Sequence, residues 1–226
     1  MPEKTAPTAT STASGRLSTT PQAPGCGGCA ALVVFVLVVV VLLVSGSWGS
    51  TNFPRVAPKD MATRAFQRSQ EAYDVMGFKR TVKPGVEKIG VSTENTFDSG
   101  FCYDGGVLGL EDKTIDGAYR LSHSWALDHV PASQAASGLR HLRQHLKDSG
   151  WKVTSFREGG QDQDWDLFVQ RDDGAERMSF TWYPDREYLT AGATAPCAYD
   201  PAWKTGDSGP AGDHETPPVL RPTQRG

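Results

Sequence analysis

Residue types that do chemistry occur in four places, and at each the spacing stops short of a working site. His141-Leu-Arg-Gln-His145 has the i, i+4 spacing that puts two imidazoles on one helix face, as a pair of zinc ligands requires. The hydrolytic version also needs a glutamate directly after the first histidine as general base, and Leu142 stands there. Asp162, Asp164 and Asp166 alternate like the start of a calcium loop, with Asp173 at its twelfth position. Such a loop turns on a glycine at its sixth position, which here is Leu167. The carboxylates read instead as the solvated approach to a hairpin. His123, Asp128 and His129 are acid–base types at the end of one expected strand, but His123 shares a face with Trp125, as a core histidine would. Cys102 and Cys197 have Gly, Tyr and Pro neighbours, which supply neither positive charge nor a base to form a thiolate. There is no Gly-x-Ser-x-Gly and no glycine-rich phosphate loop after a strand. No catalytic, cofactor-binding or metal-ligating residue is therefore assigned.

What surrounds these residues is divided by one stretch, Ala30–Val44, fifteen apolar residues without a charge or a proline. As a helix it rises about 22 Å, against a hydrocarbon core of roughly 30 Å. Cys29 before it, and Ser45 to Trp48 after it, extend the span to residues 29–48, with Trp48 at the membrane–water boundary. A cleaved signal peptide is the alternative, because Val44-Ser45-Gly46 resembles a cleavage site. The preceding segment is long, and its only bases, Lys4 and Arg16, are remote from the run, so an uncleaved anchor is expected. Residues 1–25 are Ser, Thr, Ala and Pro with little to bury, a disordered head. Cys26-Gly-Gly-Cys29 abuts the apolar run with no second pair and no βαβ setting, so it carries no redox assignment. Lys plus Arg number 23 and Asp plus Glu 26, a net charge of −3, which excludes a nucleic-acid partner.

Beyond a 49–59 linker broken by Pro54 and Pro58, residues 60–200 hold the foldable sequence. A helix is expected from Met61 to Met76, with Asp60 as N-cap and Gly77 just past its end. Thr81–Gly117 is glycine-rich and reads as irregular, with one short strand near Val86–Val91. Tyr119, Leu121, His123, Trp125 and Leu127 alternate with small or polar residues, the period of a half-buried strand. A second helix runs from Pro131 to Ser149 on the stripe Ala132, Ala135, Leu139, Leu142 and Leu146. Strands follow at 151–157, 165–171, 177–183 and 187–194, with Asp172-Asp173-Gly174 as a hairpin turn. The expected fold is α+β: an antiparallel sheet of four to five strands with two helices on one face, preceded by a single transmembrane helix. Residues 201–226 read as a disordered tail, so a fragment from about Pro58 to Asp200 should fold alone.

The Ser/Thr/Pro-rich head, the single apolar run, a cysteine after the first helix and the phrases His-Leu-Lys-Asp-Ser-Gly-Trp-Lys-Val (145–153) and Tyr-Leu-Thr-Ala-Gly-Ala-Thr-Ala-Pro-Cys (188–197) form a pattern. It resembles uncharacterised membrane-anchored or secreted proteins of high-GC Gram-positive bacteria, over roughly residues 60 to 200. The resemblance implies an extracytoplasmic α+β domain and brings no activity with it.

Cysteine topology and charge give opposite orientations. Arg55, Lys59 and Arg64 follow the apolar run, and their count leans towards a cytoplasmic C-terminus. Cys26 and Cys29 lie on the near side of the run, which leaves Cys102 and Cys197 as a pair on the far side. A disulfide between them needs an oxidising compartment, so the domain is placed outside the cell membrane. The first expectation is a single-pass membrane protein with a non-enzymatic binding or accessory domain, acting on an envelope or membrane-protein partner. The sheet face or the Thr81–Gly117 segment would make that contact. An envelope-acting enzyme with a site near His123 and Asp128, and a cytoplasmic-facing accessory domain, are the alternatives.

Overall fold

The alternation around Trp125 does what its period demands, and the rest of the domain is laid out on either side of it. The computed structural model describes residues 52–104, 113–159 and 163–223, all within one compact unit, Ser47–Gly226. Its strands are β1 (Gly85–Val86), β2 (Glu94–Asp104), β3 (Lys113–Leu127), β4 (Lys152–Arg157), β5 (Trp165–Arg171), β6 (Glu176–Tyr183), β7 (Tyr188–Thr194) and β8 (Ala198–Tyr199). They form one sheet in the order β1-β2-β3-β7-β6-β5-β4, every pair antiparallel, with β8 on β3 beyond the end of β7. Two helices, α1 (Pro58–Val75) and α2 (Ala132–Asp148), pack on the same side. On that inner side Leu121, Trp125 and Leu127 of β3 meet Leu189, Ala191 and Ala193 of β7, Phe180 and Trp182 of β6 and Leu167 of β5.

Each helix is placed by its stripe. Leu139, Leu142 and Leu146 of α2 are fully or almost fully buried, and removing each side chain from water contributes about 1.5–3 kcal/mol. Gly138, which costs helix propensity, has a packing reason. A Cβ there would come within 3.2 Å of the Met76 Cβ and carbonyl oxygen, so the glycine lets the end of α1 close against α2. α1 starts at Pro58, with Ala57 rather than Asp60 as N-cap and no side-chain cap. Proline at the first helical position supplies the required φ and has no N–H to satisfy.

Several expectations are corrected. The sheet has eight strands rather than four to five, chiefly because Glu94–Asp104, read as irregular, is an eleven-residue strand. Its Asp98-Ser99-Gly100 looks like a turn, but ten residue partners on β3 hold it extended. No helix among the described residues is long and apolar enough to cross a membrane. The head, the Cys26–Cys29 pair and the run Ala30–Val44 lie outside the described residues.

The linker and the tail are also parts of the domain. Val56 N–H donates to the Tyr199 carbonyl at 3.0 Å, and Tyr199 N–H to that of Pro54 at 2.8 Å. After β8 the tail crosses the inner face beside α1. Gly212 lies so close to Leu121 that a Cβ would fall 2.8 Å from Leu121 Cδ1, and its φ of +99° also favours glycine. Leu220, fully buried, exchanges two backbone hydrogen bonds with Val82 at 2.8 and 3.0 Å. Thr223 N–H then donates to Asp74 on α1 at 2.9 Å. A fragment ending at Asp200 would therefore lose part of the core.

Cys102, buried near the end of β2, and Cys197, between β7 and β8, stand at disulfide distance with their Cα atoms 6.1 Å apart. Their separation of 95 residues makes the bridge a long loop closure, for which chain entropy supplies up to about 4.7 kcal/mol. Cys102→Ser is expected to lower the stability of the oxidised protein by about 2–5 kcal/mol in chemical denaturation. Equal stability of variant and parent would show that the tie contributes nothing.

Candidate functional site

The sheet's two faces have opposite chemistry, because a strand sends alternate residues to opposite sides. On the inner face the polar residues are few and tied into the core. His123 is fully buried, its ring edge-on to Phe66 and Phe97 at 5.2 and 5.3 Å between centroids. Its Nε2 lies 2.7 Å from Asn95 Oδ1. Asn95 Nδ2 donates to the carbonyls of Val82 and Pro218 at 3.1 and 2.9 Å, so the Asn95 oxygen must accept and His123 Nε2 must carry the proton. His123 Nδ1 is then a bare acceptor, and no partner among the described residues meets it. A second proton would put an unpaired charge in the core, and burial pushes the His123 pKa down to about 3.

Asp128 belongs to a different place. It leaves the end of β3 and bonds Arg80 at 2.6 Å, while exposed His129 stands 3.1 Å from its second oxygen. Burial alone would raise the Asp128 carboxyl, but the Arg80 bond and charge outweigh it and hold the carboxyl below its usual value. His123 and Asp128 are thus not brought together: one is sealed in the core against Asn95, the other pairs with Arg80. His145 Nε2 instead meets Glu71 of α1 at 2.8 Å, and Asp166 is buried under an ion pair with Arg157. Among the described residues no group of three or more His, Cys, Asp or Glu is placed to hold a metal.

The outer face carries neither helix. Near the start of β7 the segment after β1 folds over it, with Tyr188 Oη donating to the Ser92 carbonyl at 3.1 Å and Arg186 to that of Gly90 at 3.2 Å. The middle is bare and forms an open hollow of about 670 Å³. Strand registry arranges its lining in two rows. One runs Ser155, Phe168, Ser179, Gly192 and Ser124, and continues beyond the hollow to Thr96, across six strands in all. The other runs Gln170, Arg177, Thr194, Ser122 and Asp98. At about 4.8 Å per strand, the first row is roughly 24 Å long.

Hydroxyls dominate this face. Ser122 and Thr194 share a hydrogen bond at 2.9 Å, and Thr154 donates to the Phe168 carbonyl at 3.1 Å. The hydroxyls of Ser124 and Ser179, half-buried on either side of Gly192, have no hydrogen-bond partner among the described residues. Phe168 keeps 39% of its surface exposed. Of the two rows only the second carries charge, Arg177 and Asp98, and Arg177 donates to the Gly174 carbonyl at 2.7 Å. No nucleophile with an adjacent base lies here, so the arrangement is suited to holding a polar ligand. The sequence reading named the sheet face but none of these residues. Their signal was the small hydroxyl residues at alternate positions, Ser122 and Ser124, Ser179 and Thr181, Thr190 and Thr194, where long charged side chains are usual on a solvated face.

No family model, no curated protein and no solved structure matches the chain.

The buried histidine makes stability depend on pH in a definite direction. Unfolded, His123 takes up a proton near pH 6.5, whereas folded it does so only near 3. Its contribution is complete above 6.5 and is lost as pH falls towards 3, by up to about 1.4 kcal/mol per pH unit. His123→Gln keeps a donor for Asn95 but does not titrate. Denaturation at pH 7, 6, 5 and 4 should show the parent losing stability faster than this variant, and parallel losses would refute the buried neutral histidine.

Proposed function

We propose that the chain is held at the cell membrane with this domain outside. There it acts as a non-enzymatic binding or accessory module, taking an envelope or membrane-protein component on the bare face of its sheet. The observation that carries this reading is the unequal treatment of the two faces. Helices, linker and tail close the inner side, while a hollow with unpartnered hydroxyls is left open on the other. Cys102 and Cys197 at disulfide distance support the outward orientation, since such pairs persist in oxidising compartments. The separation of His123 from Asp128 removes the geometry on which the enzymatic alternative depended.

A photo-crosslinking residue at Ser124 or Ser179 of the full-length protein, irradiated in its own cells, tests the reading. The same residue at His141, exposed on α2, is the control. Adducts are expected from the two face positions and not from His141. No adduct from the face, or equal adducts from all three, would contradict it.

A further inference from the structure

Gly192 sits in the middle of β7, where the fold does not ask for a glycine. Its φ is not in the left-handed region, and its strand pairs in unbroken register with β3 and β6. A Cβ on it would meet the His123 carbonyl oxygen at 3.5 Å, Ser179 Oγ at 3.7 Å and Ser124 Oγ at 4.0 Å, all ordinary contacts. Glycine weakens a strand, and a strand glycine in unbroken register is of the kind that marks a close approach to the backbone.

The surroundings say what. Across the sheet Gly192 is flanked by Ser124 and Ser179, on strands about 10 Å apart, and along β7 by Thr190 and Thr194, about 13 Å apart. The result is a shallow pit with a backbone floor and a rim of neutral hydroxyls; Thr190 donates to the Thr181 carbonyl at 3.5 Å and Thr194 is shared with Ser122, which leaves those of Ser124 and Ser179 to donate to and accept from a ligand. Phe168 stands one strand beyond Ser179 in the same row, exposed as a flat apolar platform.

Resting on the reading of this face as the binding face, we propose that its ligand is a neutral glycan chain, with one sugar ring over Gly192. A pyranose presents hydroxyls around its edge and C–H bonds on its faces, which match the rim of the pit and the ring of Phe168 in turn. The row of about 24 Å accommodates several sugar units side by side. The four rim residues are themselves uncharged; the charges that line the hollow, Arg177 and Asp98, stand in the neighbouring row and are of opposite sign. The pit also lies inside the sheet, where the backbone groups that an added peptide strand would need are already paired.

The full chain in detergent micelles, applied to an array of neutral and acidic oligosaccharides, tests this. At least one neutral oligosaccharide should be retained. Gly192→Val and Phe168→Ala should each reduce that retention tenfold or more, with the melting temperature of Gly192→Val not lowered. Gly192→Ala should fold as well as the parent and weaken retention at least threefold. Retention of no neutral oligosaccharide, retention of acidic ones alone, or unchanged retention by Gly192→Val would overturn the proposal. So would a Gly192→Ala chain that fails to fold, since the strand is argued not to need the glycine. A blank array with crosslinked adducts at Ser124 would remove the glycan and leave the binding face standing. A blank array without adducts would remove both.

Discussion

The constraint on which the structure depends is the width of an apolar sheet face that must be kept from water. Seven strands in the main path, at about 4.8 Å each, make an inner face roughly 29 Å across. Two helices of about 10–12 Å diameter cannot cover it. α1 lies on β3 and β7, and α2 on β4 and β5, which leaves the β2 side of the face only partly covered by helix. The tail completes the cover with Gly212 against Leu121, Ala211 on the same apolar cluster as Phe97, and Leu220 over Val82. It acts as a third covering element although it has no regular secondary structure.

The same constraint fixes the outer face. Because strand side chains alternate, the register that buries Trp125 against Ala191 also sets Ser124 beside Gly192, and the one that buries Phe180 sets Ser179 on its other side. A slip of one residue would put serines in the core and tryptophan in water. The binding face is therefore specified by core packing it does not take part in. The polar node at His123 belongs to the same logic. Asn95 spends its amide protons on Val82 and Pro218 and its oxygen on His123, which ties the tail to the middle of β3 through hydrogen bonds in the dry interior.

What was legible in the sequence was what depends on local period and punctuation. The α2 stripe and the run of strands from Lys152 to Thr194 appear within a residue or two of their expected bounds, and the alternation of β3 is present, although that strand begins at Lys113, six residues before Tyr119. What was not legible depends on pairing between distant residues. Glu94–Asp104 carries turn-like Asp98-Ser99-Gly100 and is a strand because β3 supplies a partner. The tail is Pro, Gly and charge by composition, yet a few contacts suffice to dock it: Trp203 over Gly117, Gly212 on Leu121, and Leu220 in the core. Composition reports how much a segment can bury, and misses a case where it fills a gap left by others. His123 was legible as a core residue, but its partner, 28 residues away, was not.

The central claim is that the tail seals the inner face of the sheet and leaves the outer face as the bare one. The amides of Val82 and Leu220 test it most directly, since each donates only to the other's carbonyl. Hydrogen exchange on the full chain should find both as slow as the amides of Trp125 and Ala191 in the centre of the sheet. Exchange of both at the rate of an unstructured peptide, with β3 and β7 still protected, would mean that the tail does not close the core.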